Sequence, residues 1–251
     1  MIERMGKRRR HRNQDAWWRQ QYGGMPVWGL GLAVVALAIS AAIAVPAALT
    51  PPQRSEAAPR PLPSMYVPAK KPVAVFIGDS YTAGDGLADK VSERWTHLLS
   101  TEKGWFEKNY GIGGTGYATV GPIDGADTYL DRLSRIAEDP DIVFVSGGRN
   151  DDEGAYEPSV AEFFTALDAA FPDAKIVAIE PFYDSGPYPE RLTRLGELVR
   201  GEVTKIGGTY VEGVGGALTG HPEWILDDGV HPDAEGHRRL AESVAAAVPP
   251  L

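Results

Sequence analysis

The sequence predicts an α/β domain, a parallel sheet covered by helices on both faces, preceded by one apolar N-terminal helix. Three observations carry this prediction. Short apolar runs recur from residue 73 onward, each ending in a polar or glycine-rich turn. Longer stretches with one apolar face at helical spacing lie between them. A charge-free stretch, residues 27–49, stands apart from both. Alternation of buried strands with amphipathic helices is the pattern of parallel strands joined by crossover helices.

The elements follow in order. Val73–Gly78 (VAVFIG) is apolar without alternation, as a strand buried on both faces must be. Ile142–Ser146 (IVFVS) and Ile176–Ile179 (IVAI) repeat that signature. Trp105–Tyr110 and Tyr210–Val214 are weaker runs and complete a set of five. Helical spacing predicts Ser159–Phe171, with Val160, Phe163, Phe164, Leu167 and Phe171 on one face. Arg191–Ile206 presents Leu192, Leu195, Leu198, Val199 and Val203, and Ala234–Val248 presents Leu240, Val244 and Val248.

Ahead of this domain the chain reads as an address. Residues 1–26 hold seven basic residues against two acids, a net of +5. The uncharged residues 27–49 would make a helix of about 34 Å, enough for a hydrocarbon core. Basic residues before such a span place the N-terminus in the cytoplasm, with Trp17, Trp18, Tyr22 and Trp28 at the interface. A cleaved signal peptide, with Ala42-Ile43-Ala44 as its cleavage site and a secreted product, is the alternative. Residues 50–72 contain seven prolines and read as a stiff tether. The expected organisation is a basic cytoplasmic tail (1–26), a transmembrane anchor (27–49), a Pro-rich tether (50–72) and an extracytoplasmic domain (73–251).

The domain itself holds fourteen basic and thirty-one acidic residues, a net of -17 within a chain net of -9. That excludes nucleic-acid binding by this part. The absence of cysteine excludes disulfides, thiolate metal sites and a cysteine nucleophile.

In parallel sheets the chemistry collects at the carboxyl ends of strands. Four turns qualify. Gly78-Asp79-Ser80 places a serine where a helix N-terminus favours developing negative charge. Asn109-Tyr110-Gly111-Ile112-Gly113-Gly114-Thr115-Gly116 follows the second strand and offers backbone N–H groups to an oxyanion. Its glycines match a dinucleotide fingerprint in spacing only. That loop belongs after the first strand and opens into a helix, whereas here Gly121, Pro122 and Gly125 follow. Gly148-Arg149-Asn150-Asp151 offers an amide donor, with an Asx-turn or helix cap as the commoner use of Asn-Asp, and Asp228-Gly229-Val230-His231 puts an aspartate within one turn of a histidine's Nδ1. No metal-loop spacing involves Asp79, Asp151, Asp152 or Asp228, so no metal and no cofactor is expected.

Together these turns resemble the four ordered blocks of the SGNH hydrolases, the GDSL esterase/lipase family, over residues 73–248. Tyr81 stands where that family often has leucine. The resemblance suggests a membrane-anchored bacterial-type member and implies a flavodoxin-like three-layer α/β/α fold with a five-stranded parallel sheet. It also implies Ser80 as nucleophile, His231 as base, Asp228 as its orienting partner, and an oxyanion hole of the Ser80 N–H, the Gly114 N–H and the Asn150 amide. Asp79 and Asp151 are expected to hold turns. Tyr81, Arg149, Tyr183 and Trp224 flank the motifs and are candidates for substrate contact; the alternatives are a salt bridge from Arg149 to a nearby acid, which is the favoured one, and loop packing by the aromatics. The expected activity is hydrolysis of carboxylic esters, short-chain or O-acetyl, on a cell-envelope glycan or lipid. Acyl transfer to such a glycan, and non-catalytic envelope binding, are the alternatives.

Overall fold

The computed structural model describes residues 21–26, 29, 31, 32, 34–40 and 70–251. The chain divides into two compact units, Met1–Val67 and Pro68–Leu251. In the first, Gln21–Tyr22 and Met25–Pro26 pair antiparallel around Gly23 and Gly24, both at positive φ. Residues 34–40 are helical, with Leu37 and Ile39 exposed. No helix among the described residues is long and apolar enough to cross a membrane. Most of the expected tail, much of the expected span and most of the tether lie outside the described residues.

The second unit contains five strands: β1 (Val73–Gly78), β2 (Phe106–Gly111), β3 (Ile142–Ser146), β4 (Lys175–Ile179) and β5 (Thr209–Val211). They form one sheet in the order β2-β1-β3-β4-β5, parallel throughout. The helices are α1 (Ser80–Ala83), α2 (Lys90–Glu93), α3 (Trp95–Lys103), α4 (Tyr129–Arg132), α5 (Tyr156–Ala170), α6 (Glu190–Lys205) and α7 (Ala234–Ala247).

Successive strand residues face opposite sides of a sheet, and the two cores follow this alternation. Val75, Ile77, Val143, Val145, Ile176 and Ala178 point to one face, where Val160, Phe163 and Leu167 of α5 and Leu192, Leu195 and Val199 of α6 cover them. Ala74, Phe76, Ile142, Phe144, Val177 and Ile179 point to the other, under Trp95 and Leu99 of α3 and Leu240 and Val244 of α7. The result is three layers, as the sequence suggests.

Helices α2, α3 and α4 have no counterpart in the sequence reading; the other differences are at boundaries. Helix α5 begins at Tyr156 rather than Ser159, because Pro158 sits in its first turn, where no intrahelical N–H bond is needed. Strand β5 stops at Val211, and Val214 packs into the core from the following loop.

Register sets up the site. Gly78 pairs with Gly111 on one side and with Ser146 on the other; Ser146 pairs with Ile179, and Ile179 with Val211. All five strands therefore end in one row. The chain leaves β1 for β2 on one flank and reaches β3 on the other, so the turn after β1 lies at the topological switch point.

Candidate active site

Ser80 is the first residue of α1, immediately after β1. Asp79 caps that helix, its Oδ1 accepting from the Tyr81 N–H at 3.0 Å. Gly84 closes it at φ +79, donating to the Ser80 carbonyl at 2.9 Å. A side chain at Gly78 would meet Thr82 Oγ1 at 2.1 Å and the Ser146 carbonyl at 2.4 Å, so only glycine lets α1 start so close to the sheet. Ser80 is 6 % exposed. Asp79 is fully buried, and desolvation raises its pKa to about 6 despite the Tyr81 hydrogen bond and the nearby Arg149.

The glycine-rich loop after β2 is held beside α1. Asn109 donates its amide to the Thr82 carbonyl at 2.7 Å and to Thr96 Oγ1 at 2.9 Å, and accepts from the Gly111 N–H at 2.9 Å. Its role here is to join β2 to the serine's helix. A methyl group on Gly113 would lie 3.7 Å from Ser80 Cβ and 2.2 Å from the Asp85 carboxylate. Gly114 adopts φ +73.

The Asn150 Nδ2 group donates one hydrogen bond to the Thr115 carbonyl at 3.0 Å. An amide carries two such hydrogens, so a second remains for an oxyanion. Asp151, buried, accepts from the N–H groups of Tyr117, Ala118 and Thr119, each at 2.9 Å. It fixes the glycine-rich loop, which agrees with a turn-holding role.

One residue here escapes sequence reasoning. Arg132 is completely buried. It donates to the Gly78 carbonyl at 2.7 Å, the Tyr110 carbonyl at 2.9 Å, Thr115 Oγ1 at 2.9 Å, and Asp127 through Oδ1 at 3.0 Å and the carbonyl at 3.2 Å. It thus pins the ends of β1 and β2 and the glycine-rich loop at once. The available signal was slight: Thr128 and Asp131 form a capping box at the start of its helix.

His231 and Asp228 meet as expected. Asp228 Oδ2 lies 2.7 Å from His231 Nδ1, and Oδ1 accepts from the Val230 and His231 N–H groups at 2.9 Å. Those bonds, the one from the His231 N–H foremost, hold the Asp228 pKa down at about 2. With Nδ1 directed at a carboxylate, Nε2 is left to accept a proton. Ser80 and the His231 ring are not hydrogen-bonded to each other in this structure. Bonds of this kind often tighten only when substrate is in place. His237, by contrast, is buried, and desolvation lowers its pKa to about 3; its Nδ1 accepts from the Trp95 N–H at 3.3 Å, so it is a packing residue.

The four flanking candidates for substrate contact fare differently. Tyr81 is 1 % exposed and its Oη donates to the Val230 carbonyl at 2.5 Å. Arg149 bonds that same Oη at 2.6 Å and pairs with Asp184 at 3.3 Å. Both belong to the framework rather than to an open pocket wall, because burial and these partners occupy their polar groups. Tyr183 is half-buried and carries the Arg149 guanidinium 5.0 Å from its ring centroid. Trp224 is stacked on His221 at 3.6 Å and has Arg239 5.0 Å from its ring.

Residues 76–239 match the GDSL-like lipase/acylhydrolase family. GDSL lipase Rv0518 of Mycobacterium tuberculosis (strain ATCC 25618 / H37Rv) is 27 % identical over 190 residues, 70 % of this chain and 81 % of that protein. Among solved structures, TesA superposes with a TM-score of 0.54 at 21 % identity, covering 70 % of this chain and 97 % of TesA. Est24, a carbohydrate acetylesterase from Sinorhizobium meliloti, gives 0.50 at 17 % identity over 70 % of this chain and 97 % of its own. The last two show the fold. The match to the family covers more than half of the chain, and with it the chain belongs to the GDSL-like lipase/acylhydrolase family and is an ester-hydrolysing enzyme.

Proposed function

We propose that the protein is an extracytoplasmic serine esterase cleaving short-chain or O-acetyl carboxylic esters through an acyl-enzyme on Ser80. The observation that carries this reading is the Asp228–His231 pair at 2.7 Å. Its loop is bonded to the residue that follows a serine at a helix N-terminus. In the proposed cycle Ser80 Oγ attacks the ester carbonyl carbon and its proton passes to His231 Nε2. Asp228, ionised above pH of about 2, stabilises the imidazolium. The Ser80 N–H, the Gly114 N–H and the free Asn150 amide hydrogen receive the oxyanion. Collapse expels the alcohol with the proton from His231. Water, deprotonated by His231, then releases the acid.

A short acyl group fits a domain without a long apolar insertion to serve as a lid. The fold likeness to a carbohydrate acetylesterase is consistent with that choice. The external location rests on the basic run before the uncharged residues 27–49, which in this reading hold the enzyme to the membrane.

The test uses the purified full chain in mild detergent against p-nitrophenyl esters from acetate to long acyl chains. Wild type is expected to turn over the acetate best. Ser80→Ala should lose several orders of magnitude in kcat, and Asn150→Ala about a hundredfold or more. Equal activity of wild type and Ser80→Ala would overturn the reading. Steady gain with chain length would replace the short-chain assignment with a lipase.

A further inference from the structure

Each segment bearing a candidate catalytic group has a neighbour in one hydrogen-bonded chain. Tyr81 follows Ser80, Arg149 precedes Asn150, and Val230 precedes His231. Arg149 Nη1 donates to Tyr81 Oη at 2.6 Å, and Tyr81 Oη donates to the Val230 carbonyl at 2.5 Å. The guanidinium lies 5.0 Å from the ring centroids of both Tyr81 and Tyr183. Its Nη2 reaches Asp184 at 3.3 Å, and the Arg149 carbonyl accepts from Arg191 at 3.1 Å. The Arg149 side chain is only 11 % exposed.

The order of donors has a consequence. A cation donating to a hydroxyl oxygen polarises it, so the hydroxyl donates more strongly to the next acceptor. That acceptor is the carbonyl one peptide before His231. Burial raises the pKa of the Tyr81 hydroxyl, which keeps it a donor. Leucine or phenylalanine at position 81 would fill the space but leave that carbonyl without this partner.

We infer that Tyr81 and Arg149 are positioning residues, a clamp that fixes the His231 loop against the serine's helix and the Asn150 turn. The inference rests on the esterase reading for its kinetic consequence, but the clamp itself is a property of the loop. It reassigns Arg149 from substrate recognition to geometry. Misplacing a general base by about 1 Å costs on the order of a hundredfold in rate.

Tyr81→Phe and Arg149→Lys, made singly and together in the full chain, test it. Each single variant should lower kcat on p-nitrophenyl acetate by about tenfold to a hundredfold while KM moves less than about twofold. The double variant should lose no more than the worse single one, since both break one chain of bonds. Wild-type kcat in Tyr81→Phe, or losses that multiply in the double variant, would overturn the inference. A second measurement is independent of turnover. The proton between His231 Nδ1 and Asp228 should give a sharp downfield NMR resonance in wild type that broadens in Tyr81→Phe. If wild type proved inactive on every ester, the esterase reading would fail while this resonance still decided the clamp. An unchanged resonance in the variant would sink it.

Discussion

A guanidinium taken out of water destabilises a fold unless its donors are met, and Arg132 meets that condition with five hydrogen bonds. Arg132→Met would leave the Gly78 and Tyr110 carbonyls without this donor and Asp127 with only Arg135. The expected cost is about 3 kcal/mol or more in urea unfolding, with reduced esterase activity, because the glycine-rich loop loses its pin. Asp79 gives a second prediction at this scale. Its native pKa, about 6, lies above its ordinary value of 3.8. The folded state therefore holds the proton more tightly than the unfolded chain. Its contribution to stability is fully present below about pH 3.8 and is lost as the pH rises through about 6. The difference in unfolding free energy between wild type and Asp79→Asn should fall over that window by on the order of 3 kcal/mol, and a flat difference would refute the assignment. Ser80, Asn150, Asp228 and His231 could be singled out in the sequence as candidates because the proposed chemistry restricts residue type and local spacing. Arg132 was not, since a buried arginine and a surface one look alike until the fold closes round them.

At the scale of elements, the two cores explain why the strands were readable and their ends less so. A strand buried on both faces is apolar along its length, and β1, β3 and β4 are so except at their ends, where Lys175 opens β4 and Ser146 closes β3. Strand β2 lies at an edge of the sheet, and its sequence FEKNYG shows no such run. The weak run Trp105–Tyr110 points to it, and its register, Val73 opposite Phe106 through Gly78 opposite Gly111, sets its bounds. The three long helices α5, α6 and α7 were legible from their buried stripes, whereas the shorter α3 was not. Leu240 of α7 is fully buried in the core on the α3 side, and Leu195 of α6 in the other. Leu240→Ala and Leu195→Ala should each destabilise by about 2–5 kcal/mol. Because the two cores lie on opposite faces of the sheet, the effects should add within about 0.5 kcal/mol, measured by denaturant midpoint at unchanged slope.

For the molecule as a whole, the layered order followed from alternation alone, but convergence of the four turns did not. It required the strand order, which brings Gly78, Gly111, Ser146, Ile179 and Val211 into one row. The same row has a second meaning. The candidate groups all belong to the carboxyl edge of the sheet, while Lys70 and Pro72, just ahead of β1, line a cavity of 380 Å³ at the amino edge with Asp141, Lys175 and Leu251. The chain therefore enters the domain at the pole opposite Ser80, a full strand length of about 20 Å away. That pole is a natural handle. A support, a fusion partner or an affinity resin attached through residues 68–72 would present the carboxyl edge outward, leaving bulky, slowly diffusing esters free to approach the candidate groups there.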